Sequence, residues 1–165
     1  MRLRSVEPFR EHIARIQGYL SDMDIFEACQ HDKLETVRRY IERGEDLNQQ
    51  DEVHDHTPLM RACRWNRLGV ARLLITHGAD INIINEDGIT ALHLACSHGY
   101  TQVVKLLIEH GADVTPDALD YTPLDYAMKL SPFHPRREEI IDLFRQHHPE
   151  MVMEAFCAMS PGGMR

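Results

Sequence analysis

Histidine and cysteine are the residues of this sequence whose types and spacing could do chemistry. His54 and His56 flank Asp55, and such a His-x-His pair in a turn could hold a metal ion. The spacing fixes no third ligand nearby, so a metal site is the less favoured interpretation. His147 and His148 end a predicted helix, where a positive charge interacts favourably with the helix C-terminus. We therefore predict no metal site.

Three of the four cysteines recur at a regular interval. Cys29, Cys63 and Cys96 are separated by 34 and 33 residues. Equivalent positions on packed helices lie about 8–10 Å apart, whereas a disulfide needs Cα atoms within about 7 Å. The three are predicted to be small apolar core residues that form no disulfide with one another. Cys157 is the predicted exposed thiol, and no Cys-x-x-Cys spacing indicates zinc.

Catalytic motifs are not found. The sequence has neither a phosphate-binding Gly-rich loop nor a nucleophile-elbow pattern. We predict that the protein is not an enzyme and takes no cofactor and no small-molecule substrate. Asp and Glu number 26 against 18 Lys and Arg, which gives a net charge of −8 with neutral histidines. Such a protein repels phosphate backbones, so nucleic acid is not an expected partner.

Hydropathy gives no sign of a membrane protein. A membrane span needs about 18 or more consecutive apolar residues, and the sequence has no such run. The basic residues 1–4 lack the apolar stretch that follows in a secretory signal. The expected location is the cytoplasm, with export by a route that leaves no such signal still open. The chain on its own is expected to be a monomer.

Internal repetition identifies the elements that carry these residues. Gly78 to Asp80 recurs as Gly111 to Asp113, a shift of 33 residues. Thr57 to Leu59 recurs in related form as Thr90 to Leu92 and as Thr122 to Leu124, at shifts of 33 and 32. The cysteines keep nearly the same period, so several independent markers indicate one repeating unit.

The repeating unit resembles the ankyrin repeat, which is about 33 residues of turn and two antiparallel helices. The third repeat matches best, over Asp87 to Ala95, Gly99 and Val103 to Leu107. The resemblance covers roughly residues 22–148, as repeats at about 22–50, 51–83, 84–115 and 116–148. It implies an all-α fold, an ankyrin-repeat solenoid of helix-turn-helix units with short β-hairpin fingers. It also implies that the protein binds another protein and does not catalyse a reaction.

Local sequence signals support the same elements independently. A threonine opens the first helix of the later repeats and can cap backbone N–H groups, with Pro58 and Pro123 next at the first helical position. Gly78 and Gly111 are predicted to end the second helices in the left-handed conformation. Asp87-Gly88 is a two-residue hairpin signal at the tip of a finger.

The ends and one insertion depart from the pattern. Residues 1–21 are predicted to form an amphipathic helix that caps the first repeat, or that binds a partner. Residues 130–135 are an insertion with two prolines, which predicts a loop. Residues 149–165 are predicted to form a helix from Met151 to Met159 followed by a flexible tail. That helix is interpreted as a C-terminal cap, with a methionine-rich docking peptide as the alternative.

The predicted binding surface is the concave face, where finger tips and the exposed ends of first helices meet. Partners of ankyrin-repeat proteins usually dock there. Trp65, the only tryptophan, falls where the fold exposes a variable residue, and tryptophan, tyrosine and arginine are enriched at interface hot spots. The interpretation left open is that Trp65 packs locally. The predicted protein-binding residues are His31, His54, His56, Arg64, Trp65, Glu86, Ile89, His98, Tyr121 and Leu130.

Three functional hypotheses follow. The favoured one is an intracellular adaptor or regulator that binds a partner protein. A narrower alternative is a dedicated inhibitor, or immunity-type protein, that neutralises a basic toxin or enzyme. A hypothesis of a different class is a metal or pH sensor built from His31, His54, His56 and His98.

Overall fold

The computed structural model describes residues 23–159, so the helix predicted over residues 1–21 and the tail from residue 160 onward lie outside it. Nine α-helices follow one another in the described residues. They are α1 (Ile25–Gln30), α2 (Leu34–Glu42), α3 (Pro58–Arg64), α4 (Leu68–Thr76), α5 (Ala91–Ser97), α6 (Thr101–Glu109), α7 (Pro123–Met128), α8 (Arg137–His147) and α9 (Pro149–Met159).

The helices form antiparallel pairs that stack in series. The first helices of the pairs, α1, α3, α5 and α7, pack in one row, and the second helices, α2, α4, α6 and α8, pack in another. Cys29, Cys63 and Cys96 are fully buried between the rows and are unpaired, which confirms their predicted role as core residues. The all-α repeat fold expected from the sequence is therefore confirmed.

Side-chain caps fix where the first helices begin. Thr57, Thr90 and Thr122 each accept a hydrogen bond from the backbone N–H three residues later, as predicted, and Asp24 does the same for α1. The second helices lack such caps at their N-termini. Their stability therefore depends on burial of their apolar faces, because short helices are marginal without tertiary packing.

The finger between successive repeats is a hydrogen-bonded turn and not a β-hairpin. Residues 23–159 contain no strand. The third finger has a single backbone bridge across its base, from the Asn85 N–H to the Ile89 carbonyl at 3.1 Å. A type I′ hairpin turn needs positive φ at both central residues, and of the pair Asp87-Gly88 only Gly88 has it, at 75°. The expectation of β-hairpin fingers is thus wrong in this detail.

The fourth pair carries the insertion and ends directly in α9. Residues 130–136 form turns, which confirms the predicted loop, and the His134 ring lies against Gly99 of the preceding repeat. Helix α9 packs against α7 and α8 and buries Val152, while Met153 stays exposed. This packing favours the capping interpretation of α9 over a free docking peptide, because an apolar side chain is already covered by the chain's own repeats.

Candidate functional site

Polar side chains at the base of each finger fix its shape. The second, third and fourth fingers are residues 51–56, 85–89 and 117–121, each closed by a backbone hydrogen bond between its first and last residues. Their first residues, Asp51, Asn85 and Asp117, occupy equivalent positions, and their side-chain oxygens accept backbone N–H groups from the turn that follows. Aspartate and asparagine favour such turns because the short side chain replaces a backbone acceptor. The fingers also contact one another, since the Ala118 N–H donates to the Asp87 carbonyl at 2.9 Å. The concave face is therefore built from turns of defined shape.

The charge of the residue at the finger base matches the residue that faces it from the first helix of the same repeat. In the second repeat the Asp51 carboxylate pairs with the Arg61 guanidinium at 3.0 Å, and both side chains are largely buried, 8% and 18% exposed. In the third repeat the position of Arg61 holds Leu94, and the partner at the finger base is the neutral Asn85. The finger base thus carries a carboxylate where the helix provides a charged partner, and a neutral amide where the helix carries a leucine. This pattern agrees with the energetic cost of burying an unpaired charge.

In the fourth repeat, Tyr126 occupies the position that Arg61 has in the second repeat. The Tyr126 hydroxyl donates to the Asp117 carboxylate at 2.7 Å. Burial raises the pKa of Tyr126 to about 12, and the adjacent carboxylate adds to that shift. Burial alone would raise the pKa of Asp117 also, but the hydrogen bonds from Tyr126 and from two backbone N–H groups outweigh it and lower that pKa below its ordinary value. Asp117 is therefore an anion that only accepts hydrogen bonds at neutral pH.

Arg61→Leu is expected to lower the free energy of unfolding by roughly 1–2 kcal/mol, because it leaves the Asp51 carboxylate largely buried without its ion pair. The double variant Asp51→Asn/Arg61→Leu reproduces the arrangement of the third repeat and is expected to recover most of that loss. Urea denaturation of both variants measures the difference. A double variant no more stable than Arg61→Leu would show that the matching is irrelevant to stability.

The structure places nine of the ten predicted binding residues at or near the surface. The indole of Trp65 is 43% exposed at the C-terminal cap of α3, and the equivalent residues His31 and His98 are also exposed. His54, Glu86 and Tyr121 are exposed as well, whereas Arg64, Ile89 and Leu130 are half-buried. Leu130 packs against the core.

His56 differs from the prediction. Its side chain is only 3% exposed in the free protein, far less than expected for a residue of the docking face. The equivalent residues Ile89 and Tyr121 stay more accessible. His56 stacks on His54 with ring centroids 5.3 Å apart, and this stacking helps to cover it.

The predicted residues divide among separate grooves between the fingers. Five of them line one groove between the second and third fingers, with a volume of about 310 Å³: His54, His56, Arg64, Glu86 and Ile89. Tyr121 lies apart, with the Lys129 ammonium over its ring at 3.1 Å from the centroid. His98 stacks on Tyr100. The concave face is thus a series of grooves, and Trp65 stands at the end of the helix that carries Arg64.

Sequence reasoning missed a larger groove of about 570 Å³ beside the first repeat. Asp24, Phe26 and Glu27 of the first repeat face Glu52 and Val53 of the second finger across it. The first repeat lacks the Thr-Pro-Leu opening that located the equivalent positions elsewhere. The cap formed by Asp24 could have located them, since it occupies the position of the missing threonine.

The grooves are lined by charged, hydrogen-bonding and apolar side chains. Within residues 23–159 no three histidine, cysteine, aspartate or glutamate side chains are arranged to hold a metal ion. Burial raises the pKa of the Cys29, Cys63 and Cys96 thiols well above the ordinary value, so they are not thiolate nucleophiles. Across the described part of the chain, no helix combines the length and the apolar character needed to cross a membrane.

Serially stacked helix pairs with projecting fingers and a grooved face define a helical repeat protein of the protein-interaction class. The family model "Ankyrin repeats (many copies)" matches residues 25–75 and 59–108, about half of the chain. The protein belongs to the ankyrin-repeat family.

Similar proteins include a scaffold, a viral ankyrin-repeat protein and an enzyme. Scaffold protein ILK of Homo sapiens is 43% identical over 63 residues, which are 38% of this chain and 14% of that protein. Putative ankyrin repeat protein FPV031 of Fowlpox virus (strain NVSL) is 35% identical over 99 residues, 53% of this chain and 29% of that protein. Palmitoyltransferase ZDHHC13 of Homo sapiens is 35% identical over 68 residues, 41% of this chain and 11% of that protein. The chain therefore spans less than a third of the length of each of these relatives.

Proposed function

We propose that the protein is an adaptor or regulator that binds a partner protein on its concave face, with Trp65 as the central anchor. The observation that carries the proposal is the exposed indole at the end of α3. A large aromatic side chain left 43% exposed can still bury substantial apolar area in a complex. Arg64, Ile89 and Tyr121 complete the proposed anchor set.

The rigidity of the fingers supports this role. Each finger is held at its base by an aspartate or asparagine side chain, and the third and fourth fingers are joined by the hydrogen bond from the Ala118 N–H to the Asp87 carbonyl. Side chains already held in place lose less conformational entropy on binding, so more of the contact energy contributes to affinity. Val53 and Leu119, at equivalent finger tips, are each 75% exposed and offer apolar contacts beside the anchors.

The compartment proposed for this activity is the cytoplasm. The described cysteines, Cys29, Cys63, Cys96 and Cys157, are all unpaired. Free thiols suit a reducing compartment, where disulfides rarely persist.

Affinity capture from the cells that produce the protein, followed by mass spectrometry, tests the proposal. The double variant Ile89→Ala/Tyr121→Ala is expected to lose the captured partner, because it removes two apolar contacts of the concave face. Met153→Ala is the matched control, since Met153 is an exposed apolar residue of α9 that lies beside Arg145, Pro149 and Val152 and lines neither groove between the fingers. Equal recovery of the same partner by both variants would place the interface elsewhere on the molecule.

A further inference from the structure

The groove between the second and third fingers, named here the finger groove, contains a buried polar atom without a partner. The finger groove is lined by His56, Arg64, Asp55, Glu86 and Asp87 among others and has a volume of about 310 Å³. His56 is 97% buried, since its exposed fraction is 3%. No residue of the described range 23–159 hydrogen-bonds its Nδ1 atom.

An unpaired buried imidazole nitrogen is unfavourable for folding. Buried polar groups in native proteins nearly always have a hydrogen-bond partner, and an exception calls for an explanation such as a ligand. Burial lowers the pKa of His56 to about 4, with Arg61, Arg64 and His54 adding to the effect against Asp51. The ring is therefore neutral at pH 7, and Nδ1 is a hydrogen-bond acceptor in the tautomer that carries its proton on Nε2.

The charged groups that line the finger groove are mostly acceptors as well. Asp55, Glu86 and Asp87 contribute three carboxylates, against the single guanidinium of Arg64. None of these three carboxylates forms an ion pair with another residue between 23 and 159. The finger groove thus presents an excess of negative charge and of unoccupied acceptor atoms.

We propose that the finger groove receives an arginine side chain of the partner protein. This inference rests on the proposed function and names the chemistry of the partner's contact. A guanidinium offers five N–H donors in one plane, which suits an acceptor set made of His56 Nδ1 and several carboxylates. An acidic side chain would meet one guanidinium and three carboxylates, so it is the poorer match.

The neighbouring groove extends the same charge pattern. Val53 at the tip of the second finger borders both grooves. On its other side, Asp24, Glu27 and Glu52 line the groove of about 570 Å³ beside the first repeat. The partner segment is therefore a basic one that crosses the second finger, with the arginine in the finger groove.

Titration of the folded protein with an oligoarginine peptide, followed by the fluorescence of Trp65, tests the inference. Trp65 is the only tryptophan and adjoins Arg64 of the finger groove. We expect saturable binding that weakens as salt is added. An oligoglutamate peptide of equal length is expected not to bind.

Two variants locate the peptide. Glu86→Gln/Asp87→Asn is expected to weaken oligoarginine binding about tenfold, because it removes two carboxylates of the finger groove. Glu35→Gln/Glu42→Gln, which removes two exposed carboxylates of α2 that line neither groove, is the matched control and is expected to bind as the wild type does. His56→Phe is expected to weaken binding while leaving the midpoint of thermal unfolding unchanged or higher, because it removes the unpaired polar atom.

The inference is overturned if oligoarginine does not bind, if oligoglutamate binds as well, or if Glu86→Gln/Asp87→Asn and the α2 control weaken binding equally. Those results would leave the proposed function standing. The proposed function fails separately, when a captured partner is recovered equally with Ile89→Ala/Tyr121→Ala and Met153→Ala.

Discussion

Trp65→Ala is expected to weaken binding of the captured partner by about 2 kcal/mol or more, a loss of roughly 30-fold in Kd. The indole is exposed in the free protein, and its burial in a complex would remove a large apolar area from water. Folding should be unaffected, because the backbone contact of Trp65, its N–H to the Arg61 carbonyl at 3.2 Å, does not depend on the side chain. Isothermal titration calorimetry with the purified partner measures the change in Kd.

Leu34→Ala is the matched control for this experiment. Leu34 is an apolar residue of similar exposure, 37%, at the start of α2. The control should bind the partner as the wild type does. An unchanged Kd for Trp65→Ala would remove the indole from the anchor set, and unfolding of that variant would show that the side chain serves packing instead.

Gly88→Ala is expected to lower the free energy of unfolding by about 3 kcal/mol and to disturb the concave face. Gly88 has a φ of +75°, which an alanine adopts only with strain. A β-carbon there would lie 2.8 Å from the Ala118 nitrogen, and that nitrogen belongs to the backbone of the next finger. The backbone strain should account for about 1 kcal/mol of this loss in unfolding free energy. Displacement of the fourth finger should account for the remainder.

Gly111→Ala separates these two costs. Gly111 has a similar φ of +79°, but a β-carbon there would meet no atom within 4 Å. Its substitution should therefore cost only the conformational strain, about 1 kcal/mol. Urea denaturation of both variants measures the two costs. Equal losses for Gly88→Ala and Gly111→Ala would show that the close contact between the third and fourth fingers does not constrain the fold.

Much of the fold could be predicted from the sequence because its signals are local and repeated. A capping threonine, a proline at the first helical position and a left-handed glycine each act over a few residues, so the ends of α3 and α4 follow from Thr57, Pro58 and Gly78. Repetition then located equivalent positions, and the exposure of Trp65 beside the burial of Cys63 agrees with that alignment. Whether Trp65 binds a partner remains a prediction.

The candidate site was less predictable because it depends on contacts between repeats. Alignment with Ile89 and Tyr121 placed His56 on the accessible face, but its burial depends on how the second finger packs and on stacking with His54. The unpaired Nδ1 atom follows from that packing and has no signature in the sequence.

The sequence by itself determined the period, the helix ends and the core positions, since these depend on local conformational preferences and on the spacing of apolar residues. Only the tertiary structure decided the shapes of the fingers and the contents of the grooves. Each groove has walls from two different repeats. In the finger groove, one wall carries Asp55 of the second repeat and the other carries Glu86 of the third. The distance between such walls is set by backbone packing across the stack, which no local pattern encodes.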